Sequence, residues 1–262
     1  MELQTIITEK QGAVARIWLN RPDSRNALNI TMAEEIVTAL RRFHTDPEIR
    51  IILLQGIGSS FCSGADLNWM ENAYGMTDAE NQAESTLLAG CYRELYEGPR
   101  ITVAGVHGAA FGGAIGFVAA CDLAIASENC VFAFSEVNLG LIPAVISPYV
   151  INKADKGKIM EYMLTGMKFS GKEAVSLGLV NRCVPDTDLD RSIGDLLAGL
   201  LNVAPGAQSG TKKLFRSLTG FAPDHAMLHH TASMLAETRV SEEASEGIRA
   251  FLEKRQPGWV NP

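Results

Sequence analysis

No two of the five cysteines stand as a CxxC pair, and their number is odd. That argues against a disulfide-built scaffold and fits free thiols in a reducing compartment. No run approaches the ~18 uncharged apolar residues of a membrane-spanning helix. The opening MELQTIITEKQG has neither an apolar signal core nor an Arg-rich amphipathic presequence. Positive charge is not in excess either. Lys and Arg number 23 against 30 Asp and Glu, a net charge of −7, which argues against non-specific nucleic-acid binding. The expectation is a cytoplasmic protein with neither membrane nor nucleic acid as partner. What is present is 262 residues, 47% hydrophobic and 20% charged, a globular composition. A chain of this length buries roughly three quarters of its unfolded surface. One large domain, with or without an appendage, is expected.

Strand signals dominate the first part: Val14–Leu19, Ile51–Leu54, Ile101–Ala104, Leu123–Ala126 and Val131–Phe134. Most are short apolar runs, as expected of strands covered on both faces. Between them, Met32, Ile36, Leu40 and Phe43 form a helical stripe, with Glu34, Glu35, Arg41 and Arg42 on other faces. Thr77 to Glu97 reads as a second helix, stopped by Gly98-Pro99. Ser170 and Glu173 have capping-box spacing, Gly178 suits the end of that helix, and Leu179–Val184 resumes strand character. Beyond Pro185 only helices are predicted: Asp188–Val203, Gln208–Leu218, Pro223–Arg239 and Glu242–Arg255. The fold class is therefore α/β over residues 1–190 with a helical region over 191–262.

Three segments could carry chemistry. Phe61-Cys62-Ser63-Gly64-Ala65-Asp66-Leu67 follows a buried strand. Its small residues would let a ligand approach the backbone, or serve an ordinary strand-to-helix turn. Gly105 to Gly116 contains Gly112-Gly113 at a helix start. It is neither GxGxxG nor a P-loop. Its N–H groups could face an oxyanion, or its small residues could simply pack tightly. Ser135-Glu136-Val137-Asn138-Leu139-Gly140 places one carboxylate between apolar runs. That is a candidate acid-base group or a dipole-complementing Glu at a helix start. His107, the His229-His230 pair and Ser209 to Lys212 lack the companions of a metal or SxxK site. No metal is expected. Cys62 with His107 could form a nucleophilic pair, although a small buried thiol is the commoner case.

Together with Asn20-Arg21-Pro22, Asn26-Ala27-Leu28, FSGKEAVSLGLV and Phe251-Leu252-Glu253-Lys254, these segments resemble the enoyl-CoA hydratase/isomerase (crotonase) superfamily. The resemblance covers most of the chain. It implies ββα units wound into a superhelix, and C-terminal helices that build a homotrimer, often paired into a dimer of trimers. It implies an acyl-CoA substrate, coenzyme A being part of that substrate rather than a cofactor. The family pattern puts oxyanion-hole donors at the Ser63 and Gly113 N–H groups, worth roughly 2.7–4 kcal/mol each. Glu136 would carry the proton. Coenzyme A would lie along Arg25, Ala27, Leu28, Ala65, Asp66 and Leu67, with Phe251 and Lys254 at its nucleotide end from a neighbouring subunit. By position, Trp69, Met70 and Tyr74 after the first bend and Ala144–Tyr149 after Glu136 could line the acyl pocket with Gly116, or Trp69 and Tyr74 could be core residues of the intervening helix. The family's best-known hydratases carry a first catalytic glutamate where this chain has Gly116. SEVNLGLIPAVISPYV looks closer to hydratases of the methylglutaconyl-CoA type. The implied activity is a single-glutamate hydratase; the alternatives are a Δ3,Δ2-enoyl-CoA isomerase and a non-catalytic acyl-CoA-binding protein.

Overall fold

In the computed structural model, which describes residues 3–218 and 224–260, the chain opens with a hairpin. Ile6–Gln11 (β1) pairs antiparallel with Val14–Leu19 (β2). β1 has too few apolar residues to announce itself, and pairing with β2 makes it a strand. Asn29 caps Ile30–Thr45 (α1) by accepting from the Met32 N–H. Met32, Ile36, Leu40 and Phe43 are buried as the stripe predicts. Glu35 is a correction: expected on a solvent face, it is 1% exposed. Its carboxylate accepts from the Gln4 N–H, the Thr5 N–H and the Thr5 hydroxyl at 2.7, 2.9 and 2.6 Å. Burial pushes its pKa up, but those hydrogen bonds outweigh it and hold the carboxyl below its ordinary value.

Ile51–Gly56 (β3) leads through a loop to Leu67–Asn72 (α2). Thr77 and Glu80 then form the capping box of Asp78–Glu97 (α3). Ile101–Val106 (β4), Ala109–Phe111 (β5), Gly113–Ala120 (α4), Leu123–Ser127 (β6) and Val131–Ala133 (β7) follow. Next come Ser147–Lys153 (α5), Lys156–Thr165 (α6), Phe169–Ser170 (β8), Gly171–Ser176 (α7) and Arg182–Val184 (β9). The larger sheet has the order β1-β2-β3-β4-β6-β9, parallel throughout except for the hairpin. β3 and β4 are buried along their whole length, which explains their continuous apolar sequence. A smaller sheet, β5-β7-β8, stands apart. The capping box at Ser170 and Glu173 forms as the spacing predicts. The strand expected from Leu179 begins only at Arg182, because Leu179 and Val180 bond back to Ala174 across the turn that ends α7.

The chain divides into two compact units after Ile193. The helices at this end are Leu189–Leu201 (α8), Pro205–Leu218 (α9), His225–Arg239 (α10) and Glu242–Glu253 (α11). α9 starts three residues before the expected Gln208, with Pro205 at its first position, where the missing N–H costs nothing. The expected start of α10 at Pro223 lies outside the described residues; Asp224 caps the described helix. Within the second unit, Glu243 accepts from the Gly206 and Ala207 N–H groups at the start of α9. No helix among the described residues is long and apolar enough to cross a membrane.

Candidate active site

Two glycine-bearing bends meet at the ends of β3 and β4. The Phe61 and Cys62 N–H groups donate to the His107 and Ala109 carbonyls at 2.8 and 3.0 Å, and the Phe111 N–H returns to Cys62 at 3.2 Å. On the other side, the Leu28 N–H donates to Gly64 at 2.8 Å and the Asp66 N–H to Leu28 at 2.9 Å. Gly64 has φ +101° and lies against the Phe111 carbonyl. A side chain there would be strained and would press into the second bend.

One expected oxyanion donor is already bonded within the protein. The Ser63 N–H, assigned to the oxyanion hole, donates to the Arg25 carbonyl at 3.0 Å and is not available. The Gly64 and Ala65 N–H groups have no acceptor among the described residues, and Ala65 directly follows the left-handed Gly64. The Gly113 N–H also has none, since Gly113 opens α4 and the first amides of a helix have no partner within it. Leu28 joins the two positions: it is bonded to both neighbours of Ala65, and its Cδ2 lies 3.3 Å from where a Gly113 Cβ would be.

Glu136 arrives at the same place from the smaller sheet. β5 and β7 run parallel, and the Gly112 N–H donates to Ala133 at 2.9 Å. The strand expected to reach Phe134 ends at Ala133, and Ser135–Leu139 coils into a 3-10 turn. That turn lays the Glu136 carboxylate against Gly112, with Oε1 3.2 Å from the site of an absent Cβ. Oε2 is buried without a hydrogen-bond partner. Burial pushes the carboxyl pKa above its ordinary value.

At Gly116 there is no room for a second acid. A Cβ there would collide with Ile146 Cγ2 and stand 2.7 and 2.9 Å from Tyr92 Cε1 and Cζ. The Tyr92 ring occupies the groove over α4, and its hydroxyl donates to the Gly113 carbonyl at 3.0 Å.

Residues 9–262 match the enoyl-CoA hydratase/isomerase family. The chain belongs to that family. It is 32% identical to the mevalonyl-coenzyme A hydratase of Aspergillus fumigatus, over 93% of this chain and 90% of that one. Similarity extends to the peroxisomal Δ3,5-Δ2,4-dienoyl-CoA isomerase of Arabidopsis thaliana, at 27% identity over 98% and 96%. A crystal structure of an enoyl-CoA hydratase from Shewanella pealeana superimposes with a TM-score of 0.95 at 39% identity, covering 98% of this chain and 97% of that one. The architecture is thus the α/β fold of enoyl-CoA hydratases.

The other residues that the family pattern points to are placed unequally. Ala27 and Leu28 are buried beside Gly64, while Arg25 and Leu67 are exposed. The Asp66 carboxylate is already engaged: it pairs with Arg21 at 2.7 Å and caps α2 through the Asn68 N–H. Its backbone is engaged as well, the N–H with Leu28 and the carbonyl with the Met70 N–H at 3.0 Å. Half-buried Trp69 donates its indole N–H to Glu84 at 2.6 Å, half-buried Met70 follows it, and Tyr74 is exposed. Phe251 and Lys254 lie in the second unit, at the end of α11, both exposed. Burial pushes the Cys62 thiol up to about 11, so Cys62 is no nucleophile. His107 contacts the Gly58 carbonyl instead.

Proposed function

We propose that this enzyme adds water across the C2=C3 bond of a 2-enoyl-CoA thioester. The observation that carries the reading is the Glu136 carboxylate, desolvated and unpartnered at Oε2, beside the corner that presents the free Gly113 N–H. The Ala65 and Gly113 amides donate to the thioester oxygen. Glu136 takes a proton from water as the water oxygen bonds to C3. The C2=C3 electron pair moves onto the thioester oxygen as an enolate, which the two amides hold. Glu136 then returns the same proton to C2, and the carbonyl reforms. Raised basicity suits both steps, because the group must accept and then release one proton. Coenzyme A runs past Arg25, Ala27, Leu28, Ala65, Asp66 and Leu67, and the acyl group points towards Trp69 and Met70. Phe251 and Lys254 meet the nucleotide end from a neighbouring copy in a trimer or dimer of trimers. The relative named for mevalonyl-CoA supports an acyl group branched as in methylglutaconyl-CoA.

Loss of the conjugated thioester absorbance on a panel of straight, branched and carboxylated 2-enoyl-CoAs tests this reading. Glu136→Gln is expected to abolish the signal, and a fully active variant would remove Glu136 from the mechanism. One observation favours a second reading. With Tyr92 and Ile146 filling the place of a second acid, one carboxylate is enough to move a proton between C4 and C2 of a 3-enoyl-CoA. Conjugated absorbance rising from a 3-enoyl-CoA, without net hydration, would establish that isomerase instead.

A further inference from the structure

Tyr92 comes from α3. Its side chain is fully buried and lies along the first turn of α4. Two ring carbons press on Gly116, and the hydroxyl stands 2.8 Å from the position of a Gly113 Cβ. The ring is held from outside by Phe117 and Tyr149, with centroids at 5.1 and 6.0 Å. The hydroxyl donates to the carbonyl of Gly113, the residue whose N–H is unpaired. The two groups lie in adjacent peptide planes that share the Gly113 Cα, so a bond that fixes the carbonyl plane leaves only the φ and ψ of Gly113 between it and the N–H. Glycine has no side chain to restrict its own backbone, and Gly112 before it is glycine too. The Gly112 carbonyl, in the same plane as the Gly113 N–H, accepts from the Ile115 N–H at 2.9 Å, and Tyr92 holds the plane on the other side of the Gly113 Cα.

We infer that Tyr92 is a positioning residue, whose hydroxyl holds Gly113 so that its N–H stays aimed at the thioester oxygen. Full burial keeps the hydroxyl from meeting substrate or bulk water, so it acts through Gly113 alone. Burial also pushes the phenol pKa well above its ordinary value, so the group remains a donor. The inference rests on the proposed oxyanion site, but not on whether the enzyme hydrates or isomerises.

The test is Tyr92→Phe, which removes only the hydroxyl and leaves the ring that fills the groove. The probe is 2-butenoyl-CoA carrying carbon-13 at the thioester carbonyl, with its C=O stretch read by difference infrared spectroscopy on the bound complex. Wild-type protein is expected to lower the stretch relative to free thioester. Tyr92→Phe should bring it part of the way back. On the substrate that turns over, kcat should fall about tenfold while KM changes by less than about twofold. This is a smaller loss than deleting an oxyanion donor outright, and one confined to the transition state. Phe117→Leu is the control: it loosens the ring's packing, so the melting temperature drops while the stretch stays put. An unchanged stretch and kcat in Tyr92→Phe overturns the inference, as does a Phe117→Leu variant that shifts both equally. A bound thioester with the free-solution stretch in wild type sinks the oxyanion site itself, and a fully active Glu136→Gln sinks the hydratase reading alone.

Discussion

At the scale of single residues, the proposed chemistry turns on the acid at 136 and the empty position at 116. Burial holds Glu136 above its ordinary value, and two pH effects follow. In the proposed mechanism the carboxylate is the competent base, so kcat/KM should decline on the acid side at a higher pH than an ordinary glutamate would impose. In stability the folded form binds this proton more tightly than the unfolded chain. Glu136 therefore contributes stability that is complete below the unfolded pKa, about 4.3, and is lost as pH rises through the raised folded value. Glu136→Gln is expected to raise the melting temperature at about pH 8 and not at about pH 4; equal shifts at both would contradict the buried carboxylate. Gly116 gives the other prediction. Restoring the acid of familiar hydratases by Gly116→Glu should unfold or inactivate the protein, because Tyr92 and Ile146 already fill that space. Gly116→Ala alone should cost about 2 kcal/mol by overpacking, read as a lower urea midpoint. Faster hydration by Gly116→Glu would show that the groove opens.

Among the elements, α4 matters most, because its first residue carries one of the two amides proposed to hold the thioester oxygen. Its other end is tied down by a lysine from α5. Lys153 Nζ donates to the Val118 and Cys121 carbonyls at 2.8 and 2.7 Å. Burial pushes that amine down to about 8, yet its place at a helix C-terminus favours positive charge. Lys153→Met keeps most of the volume and strands two carbonyls. It should destabilise the protein by about 2 kcal/mol, measured by denaturant titration. A neutral result would mean that water replaces the ammonium. The capping signal at Ser170 and the buried runs of β3 and β4 were legible in the sequence, since each depends on neighbours within a few residues. Glu35 was not, because its partners Gln4 and Thr5 lie some thirty residues away, just before β1. β1 was equally hidden, since only the hairpin makes it a strand.

On the scale of the whole molecule, a large α/β unit carries the proposed chemistry and a helical unit follows it. Leu228 and Leu235 on α10, and Ile248, Phe251 and Leu252 on α11, are exposed. We propose that they are covered by other copies of this chain. Light scattering should then report three or six chains per particle. Leu235→Asp combined with Ile248→Asp should shift it towards one, with loss of activity wherever a neighbour's Phe251 and Lys254 complete the coenzyme A site. A wild-type monomer of full activity would contradict this arrangement.

The sequence alone determined the alternation of strands and helices, the two glycine-bearing bends and the lone acid after β7. Each of these is written in local pattern: apolar runs, small residues at turns, a carboxylate between hydrophobic segments. Only the folded chain decided which amide is free, because the Ser63 N–H is taken by the Arg25 carbonyl, thirty-eight residues earlier, and the Ala65 N–H is not. The same holds for Gly116. Its lack of a side chain could be read directly, but the Tyr92 ring that requires it comes from another helix. A hydrogen bond or a filled groove between distant segments leaves no periodicity to read, so it emerges only when those segments pack.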